Sequence, residues 1–179
     1  FSEKNLSLNF DQKNYKKTFI KFSKDKKKRY IKLGAQFLIN RFNKNYSFDP
    51  RTNSENVTIA FDKSKIIRKK NKHSKIKVLI ASHCLDDAPH VYGNFLFNDI
   101  YEWLEYLFKI SKKTNYEWYV KIHPQNYKKD YNLMRDLIKK YPSIKIIKEK
   151  TSMNQIINSG ITHALSIYGS VGYELPYHG

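Results

Sequence analysis

Lys77-Val78-Leu79-Ile80-Ala81-Ser82-His83 is the stretch whose reading decides the fold. A short apolar run of this kind, closed abruptly by polar residues, is the pattern of a buried strand. Working outward toward the C-terminus, the pattern repeats. Residues 82–97 read as a loop. Asp99 then stands three residues before Glu102 as a capping pair, and Trp103, Leu104, Leu107 and Phe108 give an apolar helical face. Glu117-Trp118-Tyr119-Val120-Lys121-Ile122 predicts a second strand, stopped by His123-Pro124. Leu133, Met134, Leu137, Ile138 and Tyr141 predict a second helix, ended by Pro142. Ile144-Lys145-Ile146-Ile147 is a third strand. Ser152 and Gln155 form a capping box for a short helix that Gly160 stops. Residues 163–167 make a fourth strand, and Gly169-Ser170-Val171-Gly172 leads into a last helix. Strands alternating with helices predict an α/β, Rossmann-like parallel sheet with helices on both faces.

Toward the N-terminus the texture differs. Residues 1–75 hold 21 of the 34 basic residues and 6 of the 16 acidic ones, a net +15, while residues 76–179 carry +3. Residues 1–24 read as irregular. Residues 25–42 read as a basic helix in which Tyr30, Leu33, Phe37 and Leu38 follow helical spacing, and such a stripe more often packs on its own domain than on lipid. Residues 43–56 read as a loop. A boundary within 63–75 divides a basic N-terminal segment, 1–75, from an α/β domain, 76–179.

Charge of this size points to a polyanion or to an anionic membrane surface. Only 5 of the 34 basic residues are Arg, the side chain that nucleic-acid readers lean on, so a dedicated nucleic-acid partner is disfavoured. Cys84 is the single cysteine, which excludes an intramolecular disulfide and a cysteine-built zinc site and fits a cytoplasmic setting. No apolar run reaches the length of a membrane span.

Ligands of parallel α/β sheets bind beyond the carboxyl ends of the strands. That rule selects four loops. Gly169-Ser170-Val171-Gly172-Tyr173-Glu174 offers glycines for close backbone approach, a hydroxyl at Ser170 and a carboxylate one turn deeper at Glu174. It reads equally as a strand-to-helix turn capped by Ser170. His123-Pro124 places an imidazole at a strand end, with Lys121 on the same face; it also reads as a plain strand terminator. His83, Asp86, Asp87 and His90 are dense in polar groups, yet their spacing matches no strong metal motif. A general base and a self-bonded loop cap both remain open for the aspartates. The aromatic-rich run at 92–99 reads as a cover for the site, or, more readily, its aromatics read as core.

Taken in order, residues 80–83, 87–90, 96–99, Glu102-Trp103, 120–124 and 169–174 resemble bacterial capsule-polysaccharide glycosyltransferases, similar in layout to Kdo transferases and the wider GT-B superfamily. The resemblance spans about residues 60–179 and implies a donor-binding domain for a nucleotide-activated sugar. By resemblance, His123 and Ser170 contact donor phosphate; Lys121, on the same strand face as His123, is placed to assist. Gly169 and Gly172 shape the turn, and Glu174 meets the ribose. His83 faces the donor from the first loop; a general base is needed for the acceptor hydroxyl, and either Asp86 or Asp87 or the acceptor domain of such enzymes supplies it. No metal or resident cofactor is implied; the partners are the nucleotide sugar and a glycan acceptor. Work on such glycans takes place at the inner face of the cytoplasmic membrane. Family members run on beyond the equivalent of His178-Gly179 and carry an N-terminal acceptor domain, so the resemblance also implies that this chain is a fragment.

Overall fold

A computed structural model describes residues 12–42, 75–86, 96–123, 128–148, 151–167 and 169–178. Four strands, β1 (Lys77–Ala81), β2 (Glu117–Lys121), β3 (Ile144–Ile147) and β4 (His163–Leu165), form one all-parallel sheet. Their spatial order is β3-β2-β1-β4. Parallel neighbours require a crossover, and the helices supply it: α3 (Ile100–Ser111), α4 (Lys128–Lys139) and α5 (Met153–Asn158) link the successive strands, and α6 (Val171–Tyr177) follows β4. The expected α/β class and helix-strand alternation are therefore present.

Alternation along the strands sorts side chains between two cores. Val78, Ile80, Trp118, Val120 and Ile144 pack with Ile100, Trp103, Leu104 and Phe108 of α3 and with Met134, Leu137 and Ile138 of α4. Leu79 turns the other way, onto Met153 and Ile156 of α5, with Ala164, Val171 and Leu175 beside them. Helices thus cover both faces of the sheet. Each fully buried Leu, Ile or Phe contributes about 1.5–3 kcal/mol of transfer free energy.

Local chemistry fixes the helix ends. Asp99 Oδ1 accepts from the Glu102 amide at 2.7 Å, and Glu102 Oε2 accepts in return from the amide of Asn98, one residue before the cap. The Ser152–Gln155 capping box is complete, with both reciprocal bonds formed. Gly160 has φ +85°, the left-handed geometry that lets the chain reverse from α5 into β4.

Two further helices, α1 (Gln12–Ile20) and α2 (Lys24–Phe42), precede the sheet. α2 matches the expected helix at 25–42. α1 corrects the reading of residues 1–24 as irregular throughout. Its apolar residues are too few to make a periodic stripe, so the sequence gives little helical signal there. An aromatic knot marks the turn instead: Phe22 stacks on Tyr30 at 5.2 Å, Phe19 meets Phe22 edge-on, and Lys26 Nζ lies 4.2 Å from the Phe22 ring centre. The stripe expected to pack on its own domain is open in part: Tyr30 and Leu33 are exposed, while Phe37 and Leu38 are half-buried. The loop expected at 43–56, and the boundary at 63–75 up to residue 74, lie outside the described residues.

Candidate functional site at the carboxyl ends of the strands

Strand order places the site. From β1 the chain steps outward through β2 to β3, then returns across β1 to form β4 on its far side. The reversal makes the β1/β4 junction a topological switch point, where the loops leaving two neighbouring strands diverge. Register sets Ile80 beside Leu165, so the segments that begin at Ser82 and Ser166 leave the sheet side by side. β2 flanks β1 on the opposite side and delivers His123 to the same end.

Three residues of the first loop organise His123. The Ser82 amide donates to the Lys121 carbonyl at 3.1 Å, which extends the β1–β2 ladder past the strand end. The buried Ser82 hydroxyl then accepts the His123 amide at 3.0 Å. Cys84 Sγ lies 3.0 Å from His123 Nδ1. The His83 ring is nearly parallel to that of His123, at 11° with centroids 6.0 Å apart. Two imidazoles, a thiol and a hydroxyl thus gather at one strand end. His83 and His123, read from the sequence as separate candidates, are brought together. Ser82 and Cys84 were not singled out as site residues there. The available signal was positional: Cys84 and His123 each follow an apolar strand by two or three residues, and those strands prove to be neighbours.

Lys121 reaches sideways. Its Nζ donates to the Thr151 carbonyl at 2.8 Å, tying β2 to the segment just before α5. Asp86 is exposed in the turn that follows Cys84. Asp87, His90 and Pro124 lie outside the described residues, as does the aromatic run as far as Phe95. Of the rest of that run, Leu96 is exposed, whereas Phe97 packs against the core and the Tyr106 ring. Among the described residues, no group of three His, Cys, Asp or Glu side chains comes together as a metal site.

The glycine-serine turn divides into unlike halves. Gly169 donates its amide to Ser166 Oγ at 3.2 Å, and a Cβ at position 169 would stand 2.7 Å from that oxygen. A side chain at 169 would therefore have to displace the Ser166 hydroxyl. Gly172 lies inside α6, where a Cβ would meet nothing within 4 Å. Space does not demand glycine there, and Gly172 stands within the first turn of the helix. Ser170 precedes α6 with helical dihedrals (φ −54°, ψ −20°) and makes no capping bond through its side chain. Plain N-capping by Ser170, the alternative reading, is thus not what its hydroxyl does. Glu174 sits in the first turn of α6 and is only 1% exposed. A ribose hydroxyl would meet that carboxylate only after the side chain was uncovered.

Comparison with known proteins gives no match to a family model, to a curated protein or to a solved structure, so residues and geometry alone carry the functional argument.

Proposed function

We propose that residues 76–179 form the donor-binding domain of a GT-B-type glycosyltransferase, which moves a sugar from a nucleotide-activated donor to a capsular or other surface polysaccharide. One observation carries this reading: the β3-β2-β1-β4 order sets the His83–Cys84 loop and the Gly169–Ser170 turn on either side of the switch point, with His123 alongside. The same order opens Rossmann-type nucleotide-binding sheets.

In this mechanism the acceptor hydroxyl attacks the anomeric carbon, and the bond to the donor phosphate breaks. The departing phosphate gains charge. His123 stabilises it by hydrogen bonding, Ser170 adds its hydroxyl, and Gly169 lets the backbone close in. His83 lines the donor side. Asp86 or Asp87 accepts the proton of the acceptor hydroxyl. The donor is a substrate; no resident cofactor or metal is invoked. Fold does not fix chemistry, so a polyol-phosphate transferase and a sugar-nucleotide epimerase are the enzymatic alternatives.

Calorimetric titration with CMP, UDP, CDP and UMP tests the reading. Binding of one nucleotide in the micromolar to millimolar range, weakened in a folded His123→Ala variant, is the expected result. An epimerase would instead interconvert a nucleotide sugar with no acceptor present.

A second reading concerns residues 1–75. Eleven basic residues stand against a single acidic one in 12–42, and Tyr15, Ile20, Tyr30, Ile31 and Leu33 are exposed among them. Interleaved cationic and apolar groups suit an anionic membrane surface. No helix among the described residues is long and apolar enough to cross a membrane. We assign this segment a peripheral role at the inner face of the cytoplasmic membrane; a non-enzymatic module for anionic membrane or nucleic acid is the rival. Cosedimentation with phosphatidylglycerol vesicles, lost on deletion of residues 1–60 while nucleotide binding persists, is expected for an accessory anchor. No cosedimentation at physiological salt would remove the membrane role.

A further inference from the structure

We propose that Cys84 is a positioning residue that sets the tautomer of His123, holding the ring proton on Nε2. The inference rests on the donor-site reading, to which it adds the origin of the hydrogen bond His123 offers to phosphate.

A neutral imidazole carries one N–H and one lone pair, and the partner of one nitrogen decides which is which. Here the partner of Nδ1 is the Cys84 sulfur, 3.0 Å away. Cys84 is 7% exposed, and burial favours the neutral thiol over the thiolate. A neutral thiol needs an acceptor for its proton, and an imidazole lone pair is a strong one. With S–H donating to Nδ1, the ring proton resides on Nε2. A phosphate oxygen is acceptor-only when fully ionised, so it requires that donor; the opposite tautomer would present a lone pair to it. The backbone supports the same end. Ser82 Oγ fixes the His123 amide, and the Ser82 amide is itself held by the Lys121 carbonyl. Both the main chain and the ring of His123 are therefore registered by residues 82–84.

Long-range nitrogen-15 to proton correlation on the whole chain, at a pH where the imidazoles are neutral, reads the tautomer without any ligand. The His123 signals are assigned by their loss in His123→Gln. The expected result is the Nε2–H form in the native chain, retained in Cys84→Ser, whose hydroxyl also donates, and replaced by a mixture in Cys84→Ala. Inorganic phosphate or UDP should bind Cys84→Ala about three- to tenfold more weakly, with affinity restored in Cys84→Ser. An Nδ1–H form or a thiolate–imidazolium pair in the native chain would overturn the proposal, as would an unchanged tautomer in Cys84→Ala. The Nε2–H form together with failure to bind any nucleotide would leave the positioning claim standing and remove the donor site.

Discussion

The α/β unit and the N-terminal helical pair are built by opposite means. Along α3, Ile100, Trp103, Leu104 and Phe108 all turn inward and are buried, and the helix begins at a reciprocal cap. Along α1 and α2, none of the residues from Tyr15 to Asn40 is buried. Local contacts there include an aromatic knot at the turn, a Gln36 to Asn40 side-chain bond, and the Ser23 hydroxyl accepting from the Lys26 amide. Burial of this kind is a source of tertiary stability that local contacts do not replace, since in proteins most helical stability comes from packing an apolar face. The lesson is that abundant apolar residues do not make a core unless their period matches a partner surface. The sheet supplies that surface for α3 and α4.

The sharpest way to break this contrast is a matched pair of truncations. Phe108→Ala, at a fully buried site, should cost about 3–5 kcal/mol in urea unfolding. Ile31→Ala, at a site 62% exposed, should stay within about 0.5 kcal/mol. Comparable costs at the two sites would mean that α2 packs on a surface of its own.

Next in size is a test inside the candidate site. Gly169→Ala pushes a methyl against Ser166 Oγ and should break the bond from the 169 amide, at a cost of about 1 kcal/mol. Gly172→Ala lies in open helix and should change stability with the opposite sign, by up to about 1 kcal/mol. Equal effects would contradict the division of the turn into one constrained glycine and one free of steric need. Asp99→Ala, which removes the cap of α3, should cost about 1 kcal/mol; Ser23→Ala, which removes the hydroxyl that accepts the Lys26 amide at the start of α2, is its counterpart there.

The smallest expected effect is a titration. A hydrogen bond from the Tyr119 hydroxyl, with the Lys145 ammonium beside it, holds the Glu117 carboxyl below its ordinary pKa of 4.5. A depressed folded-state pKa gives stability that is present above the ordinary value and lost as pH falls through the folded one. In urea unfolding, Glu117→Gln should therefore lower stability slightly at neutral pH, with the difference from the native chain vanishing as pH falls through the folded pKa.

These contrasts also explain what the sequence could reveal. β1 and β3 were legible residue for residue, because a short β-branched or apolar run closed off by polar and proline residues allows few other structures. The caps at Asp99 and Ser152 were legible because they are local, with partners three or four residues apart. The second and fourth strands end at Lys121 and Leu165, short of the expected ends, where the ladder gives way to the loops of the site. Strand order was not legible, since parallel pairing joins residues far apart in the chain. The Cys84–His123 contact, 39 residues apart, was hidden for the same reason. Residue type could nominate His123 alone; only the β1–β2 register supplies its neighbours. Glu174 marks the converse case: its place in the motif was visible, while its burial depends on packing that the motif does not encode.

The central claim is that a nucleotide sits at the switch point of the sheet, apart from the basic helices. Amide chemical-shift mapping of the nitrogen-15-labelled chain, titrated with the nucleotide that calorimetry selects, tests it most directly. The account predicts that shifts concentrate at Ser82, His83, Cys84, His123, Gly169 and Ser170 and spare residues 24–42. Shifts confined to the basic helices, or saturating amounts of all four nucleotides with no change at those six residues, would contradict it.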